Sequence, residues 1–518
     1  MDTVDLGARQ RGIDGQSQYA IFLPALSGFY ATFVGKQRYN QYVESTRIPA
    51  GFTNGIESLN FLAPKDAAFE YPWALYSAGH ANLDTAKLVE KEDMVRNRDR
   101  AGTFLLGDSG GFQIAKGLWP GEWADPNCPR AAKQRKLVLD WMEAYMDYGM
   151  ILDIPTWTFR DAKAAAACGI RSYQDAVDAT IINNDYFINN RQGKVKLLNV
   201  LQGGNHAEAD NWYAIMKDYS DPAVYPDRHF NGWAMGGQNM CDVHLVLKRI
   251  VTLIHDGLLE QGLHDWMHFL GTSKLEWAVL LTDIQRAVRK YHNPNFTISF
   301  DCASPFLATA NGQLYTHNRI EDRGKWSYKM EPGVDDKKYA TDSRPFSEVL
   351  INDAGITFLE SPVSKHLAVN DVCVYKPGDL NKNGKEGKTS WDSFSYCLQM
   401  GHNVWAHLNA VQTANEAYDT GSVPGMLVDD RHDQLFFRDI VNEIFSLQDR
   451  EKSLQLIEHH SRFWMRIVGT RGFTGKRTMN SHTGFNSIFS VEGPDNPDQI
   501  SEHQLDDLAL HTLENAHQ

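Results

Sequence analysis

TFLLGDSGG (residues 103–111) holds the pattern that decides the fold: a β-rich apolar run, a polar closure, then a glycine turn leading into a helical stretch. The same order recurs in WALYSAGH (73–80), GMILDIP (149–155), VKLLNVLQGG (195–204), FNGWAMGGQ (230–238), WMHFLGTS (266–273) and TISFDCAS (297–304). Between these runs, segments such as KQRKLVLDWMEAYMDYG (133–149) and SKLEWAVLLTDIQRAVRKY (273–291) repeat apolar residues at three and four, the period of a half-buried helix. Strand and helix in alternation predict a parallel sheet with crossover helices. With one further strand expected near the N-terminus and no GxGxxG after the first strand, the chain is predicted to be α/β. Its expected form is a (β/α)8 TIM-type barrel with insertions and a mainly helical C-terminal extension.

The pattern also sets the expected organisation. Residues 1–60 contribute the start of the barrel and 61–305 its main body. Residues 306–390, with EPGVDDKKYATDSRP and KPGDLNKNGKEGK, read as insertions and loops. Helical periodicity returns over 391–493, and 494–518 read as an acidic tail.

A chain of 518 residues with 42% hydrophobic content can bury a full core, which excludes a disordered protein. The net charge of -14 excludes a global positive field, so any contact with phosphate must come from a local patch. Cys128, Cys168, Cys241, Cys302, Cys373 and Cys397 form no CxxC pair, which predicts a reducing compartment, the cytoplasm, rather than a disulfide framework. No leader and no membrane span is expected, because no stretch reaches the roughly 18 to 20 apolar residues a crossing needs.

In a barrel of this kind the site forms where the strands end. The closures are polar: Asp108, Ser109, Asp153, Gln202, Gly236, Gly237, Thr272 and Asp301. Asp108, Asp153 and Asp301 would converge on one mouth, as two-step glycosyl chemistry requires: a carboxylate attacks an anomeric carbon while a second carboxyl group moves a proton on the leaving base. Each Asp taken alone reads equally well as the cap of the following helix. The glycine pairs at 110–111, 203–204 and 236–237 permit close approach to a flat ligand, and turn geometry explains them too.

GDSGGFQ (107–113), LQGG (201–204), AMGG (234–237), HFLGTS (268–273) and FDCASP (300–305), in this order, resemble the motifs of the tRNA-guanine transglycosylases and their DNA-acting relatives. The resemblance implies Asp301 as covalent nucleophile at C1′ and Asp108 as acid/base. Ser109 would lie in the base pocket and Asp153 would read the guanine N1 and N2 edge. Gln202 and the backbone at Gly236 and Gly237 would read the O6 side, and Phe112 would stack on the base. It implies a retaining exchange of guanine for a free 7-deazaguanine base, with no cofactor for the chemistry.

The chain departs from the family at its structural zinc. The CxCxxC cluster is absent, and Gln412 in HLNAVQTAN (407–415) stands where the zinc-binding His would be. A site rebuilt from Cys373, Cys397, His402 and His407 would lack tight ligand spacing, and DLNKNG (379–384) starts like a calcium loop but reaches Ser390 at position twelve, so no metal is expected. These departures fit the divergent phage and bacterial enzymes that act on DNA, with tRNA as the alternative polymer. A phage-encoded enzyme would work in the host cytoplasm, and a homodimer is compatible with the sequence. The candidate phosphate patch is RFWMRIVGTRGFTGKR (462–477), with Arg462, Arg466, Arg471, Lys476 and Arg477 interleaved with Phe463, Trp464 and Phe473. The other reading of that patch is a solvated helix face. A nucleoside or glycoside hydrolase on the same barrel, with water in place of the incoming base, and a non-catalytic partner subunit are the remaining alternatives.

Overall fold

The computed structural model describes residues 18–40, 43, 45–63, 67–87, 92–350, 358–374, 390–429 and 435–469. The strands are β1 (Ile21–Pro24), β2 (Trp73–Ser77), β3 (Phe104–Asp108), β4 (Tyr148–Met150), β5 (Lys196–Leu201), β6 (Gly232–Met235), β7 (Trp266–Phe269) and β8 (Thr297–Cys302). They form one parallel sheet in the order β1-β8-β7-β6-β5-β4-β3-β2. A parallel bridge between Ala25 and Leu75, with the Leu26 N–H donating to the Leu75 carbonyl at 2.9 Å, brings β1 beside β2 and closes the ring. The predicted (β/α)8 barrel is therefore the observed fold, and the strand expected near the N-terminus is β1.

Alternation along each strand separates two apolar layers. Phe104 of β3 stacks on Trp266 of β7 with ring centroids 4.5 Å apart, and Tyr148 of β4 lies 5.3 Å from the same indole. Because β3 and β7 are not sheet neighbours, these rings meet across the barrel interior and form its floor. Every second residue above them shares that face, so β3 turns Asp108 inward and β8 turns Ser299 and Asp301 inward. The opposite face of β8 carries Phe300 and Cys302, both fully buried.

Residues 306–390, read from the sequence as insertions and loops, contain an antiparallel hairpin of β9 (Gln313–Arg319) and β10 (Ser327–Pro332). It packs on the helix Ser393–Asp419, whose N-cap Asp392 also accepts Arg47 at 2.8 Å. That helix is buried on almost every side, lying against β1 and the helices Gly28–Asn40 and Leu275–Tyr291. It fills the place of the eighth ring helix, so this part of the expected C-terminal extension is a stave of the barrel. The loop 379–384 lies outside the described residues.

The last helices, Phe437–Ser446, Arg450–His459 and Ser461–Gly469, pack on the outer flank. One anchor is Asp283, which accepts Tyr418 Oη at 2.6 Å and Arg438 Nε at 3.0 Å. Burial pushes its carboxyl up to about 6 despite the opposing Arg438 charge. A second tie fixes direction: Arg450 pairs with Asp256 at the lower end of the helix Val243–His255, and Glu458 lies 3.1 Å from His244 in its first turn. The helix Arg450–His459 thus climbs the flank, delivering residue 460 at the level of the mouth.

Candidate active site

Asp108 is the last residue of β3, directly opposite Ser77 in the sheet register, and its Oδ2 accepts the Ser77 hydroxyl at 2.5 Å. Burial raises its carboxyl above the usual range; the Ser77 and Gly110 donors oppose the rise, and the negative charge of Asp301 adds to it. Ser109 is buried beside it.

Asp153 does not end its strand; it lies in a buried segment beyond Met150, the last residue of β4. Its Oδ2 accepts Gln202 Nε2 at 2.7 Å. Burial pushes the carboxyl up to about 7, with the Asp108 charge contributing to the rise and the Gln202 bond opposing it. The amide orientation of Gln202 follows from this bond and leaves Oε1 buried without a hydrogen-bond partner. Gly111 is required here, because a Cβ on it would come 2.5 Å from the Asp153 carbonyl oxygen.

Asp301, on the inner face of β8, is held differently. Its Oδ1 accepts the Gly271 N–H at 2.9 Å and meets His268 Nε2 at 3.1 Å, and the side chain keeps 13% exposure. The three carboxylates are thus brought to one mouth, coupled through Asp108, whose charge field involves both others.

In the glycine pairs 203–204 and 236–237, Gly203 and Gly237 make room for the protein's own backbone, and Gly204 and Gly236 for the side chains of Arg160 and Gln202. Gln238 N–H donates to the Gly203 carbonyl at 2.7 Å, and a Cβ on Gly237 (φ +55°) would come 2.5 Å from that same oxygen. The Gly236 N–H donates to Leu201 O at 2.9 Å, which corrects its expected role as a donor to the purine. Phe112 sits at the rim with 45% exposure, its ring 5.9 Å from Trp157 in an edge contact, with Lys116 Nζ 5.4 Å from both rings.

A scan against protein-family models and a search of curated proteins returned no match.

The basic patch is only partly placed at a usable surface. Arg462 is exposed at the level of the mouth, whereas Arg466 donates to the Val428 carbonyl and lies over Phe463. Phe463 and Trp464 are buried, which corrects their expected use in base stacking. They form the apolar face that docks the helix. Arg471, Phe473, Lys476, Arg477 and the tail 494–518 lie outside the described residues.

Among the described residues, no group of three His, Cys, Asp or Glu side chains is placed to hold a metal. His402 is engaged by Ser361 Oγ at 2.9 Å and Tyr315 O at 2.8 Å, and His407 stacks between Phe22 and Tyr328. No described helix is long and apolar enough to cross a membrane.

Three contributors escape a reading of strand ends. Ser77 ends β2 but lies inside the run WALYSAGH as read from the sequence, His268 precedes the end of β7, and Trp157 follows the segment after β4. His268 opens the HFLGTS motif, but its place beside Asp301 depends on the β7–β8 register, which pairs it with Ser299. An apolar run that admits a fully buried His was the available signal.

Proposed function

We propose that the protein exchanges a guanine base in DNA for a 7-deazaguanine by a retaining double displacement. Asp301 Oδ2 attacks C1′, the bond from C1′ to the base nitrogen breaks, and the departing guanine takes its proton from Asp108. The incoming deazaguanine returns a proton to Asp108, its nitrogen attacks C1′, and the Asp301 ester is released.

The observation that carries this reading is the division of labour among the mouth carboxylates. Asp108 sits where burial favours the protonated acid, while Asp301 Oδ1 accepts the Gly271 N–H and meets His268 Nε2, and Oδ2 accepts no hydrogen bond among the described residues. A buried carboxyl suited to hold a proton, beside a carboxylate with one oxygen engaged and the other open, gives the acid and the nucleophile that the exchange needs. Asp153, ionised, would accept the guanine N1 and N2 hydrogens, with Gln202 and Gly237 on the O6 side and Phe112 at the rim for stacking.

The choice of DNA rests on the missing CxCxxC cluster. A target guanine must leave its duplex to reach a barrel mouth, so flipping is part of the reading, with Arg462 suited to a flanking phosphate.

Transfer of labelled guanine or deazaguanine into duplex DNA and tRNA, with Asp301→Ala as blank, tests it. Label in DNA is expected. Label in tRNA alone would change the polymer, and label in neither would overturn the transferase.

A further inference from the structure

The interior of the barrel contains a chain of hydrogen bonds that ends on the proposed nucleophile. Trp266 Nε1 donates to Ser299 Oγ at 2.8 Å, Ser299 Oγ lies 2.9 Å from His268 Nδ1, and His268 Nε2 lies 3.1 Å from Asp301 Oδ1. Trp266, Ser299 and His268 are all buried or nearly so, with Ser299 and His268 fully shielded from solvent.

Donor inventory gives this chain a direction. An indole N–H can only donate, so the Ser299 oxygen accepts there. The attacking carboxylate can only accept, so the hydrogen between His268 and Asp301 belongs to Nε2, and the Ser299 hydroxyl donates to the Nδ1 that a neutral ring leaves without a proton. The imidazole then carries its hydrogen on Nε2, facing Asp301. Gly271 N–H donates to the same carboxylate oxygen at 2.9 Å. Among the described residues Oδ2 accepts no hydrogen bond.

We propose that His268 is a positioning residue that, with the Gly271 N–H, fixes Asp301 Oδ1 and so presents Oδ2 to the anomeric carbon. The inference rests on Asp301 being the nucleophile. When the Oδ2–C1′ bond forms, Oδ1 becomes the carbonyl oxygen of the ester, and the two donors stay on it; no proton leaves His268 in either half of the exchange. Ser299 acts through His268 by holding its tautomer, the role a neighbour commonly plays for a functional imidazole.

The floor and the site are thereby joined through one residue. Trp266 stacks on Phe104 with one part of its ring system and starts the chain with its N–H. A carboxylate free to rotate would sample geometries away from in-line attack, and such misplacement costs on the order of 100-fold in rate.

The test uses the full chain. His268→Leu is expected to lower kcat about 100-fold while leaving KM for the free base within about twofold. His268→Gln, which restores an amide N–H near the same point, should recover kcat to within about tenfold of the parent. Imidazole nitrogen NMR of histidine-labelled protein, with the His268→Leu spectrum as the difference, should show hydrogen on Nε2, and Ser299→Ala should convert it to a mixture of tautomers.

An unchanged kcat in His268→Leu overturns the proposal, as does hydrogen on Nδ1 in the parent protein. If His268→Leu does not fold, the parent spectrum decides, with His268→Gln supplying the difference: hydrogen on Nδ1 overturns the proposal, and a single Nε2–H tautomer in Ser299→Ala removes the part given to Ser299. A parent protein with no exchange activity removes the nucleophile reading and this role with it, whereas the imidazole spectrum still reports whether the hydrogen-bond chain exists.

Discussion

Phe104 and Asp108 lie on the same strand and the same face, about 13 Å apart at the usual rise per residue, and they do opposite things. At the floor, Phe104 meets Trp266 and Tyr148 in a dry aromatic layer that fills the barrel. At the mouth, Asp108 lies within the electrostatic reach of Asp153 and Asp301, and each of the three carboxyls is held by its own hydrogen-bond partners, Ser77, Gln202 and Gly271. The floor gains stability by removing large rings from water. The mouth gives stability up at the pH where its acids ionise, since burial, with neighbouring negative charge, makes Asp108 and Asp153 resist ionisation. The same strands thus hold a stabilising layer and a reactive one, and the rigid first positions the second.

The sharpest way to break this contrast is Asp301→Asn, expected to cut exchange by about 10⁴-fold or more while leaving the thermal midpoint unchanged or slightly raised. Retained exchange, or a large loss of stability, would put Asp301 among the structural residues. Its counterpart is Phe104→Ala, expected to cost about 3–5 kcal/mol in urea unfolding with KM for the free base unchanged while the protein is folded. A stable variant would mean the floor is not where stability lies.

Asp153 sharpens the contrast through pH. Its carboxyl rises from 3.8 unfolded to about 7 folded, so the folded state keeps a proton that the unfolded chain releases between these values. The stability from this group is complete below about pH 4 and is lost as pH rises through about 7. Guanine binding, which needs the ionised form, should run the other way and weaken about tenfold per pH unit below that value. Asp153→Asn should flatten the stability profile; a profile unchanged by the substitution would show that another group sets it.

Smaller effects belong to the rim. Phe112→Ala is expected to raise KM for the polymer about tenfold, within the range of a single stacking contact, with no change in melting. Arg462→Ala should weaken DNA binding about two- to fivefold and reduce the salt slope by about one; an unchanged slope would remove the flank from the nucleic-acid path.

Asp108, Gln202 and Asp301 are readable from position because a polar residue follows an apolar run at or within one residue of the end of β3, β5 and β8. The glycine pairs were readable as a feature but not as a role, because a turn that admits a ligand and one that admits the neighbouring backbone need the same residue. The stretch 462–477 admits two readings of its aromatics for a similar reason. Arg and Phe interleaved at helical spacing describe both a binding face and a docked amphipathic helix, and burial of Phe463 and Trp464 selects the second.

The sequence by itself determined the barrel, because alternating strand and helix periods admit few parallel architectures, and it marked the carboxylates Asp108, Asp153 and Asp301 at or just beyond the mouth ends of β3, β4 and β8. Only the tertiary structure decided that Ser77 supports Asp108, that the helix Ser393–Asp419 is a stave of the barrel, and that His268 faces Asp301. Local periodicity states which face of a strand a side chain occupies, whereas its partner across the sheet depends on register, which is fixed when the barrel closes.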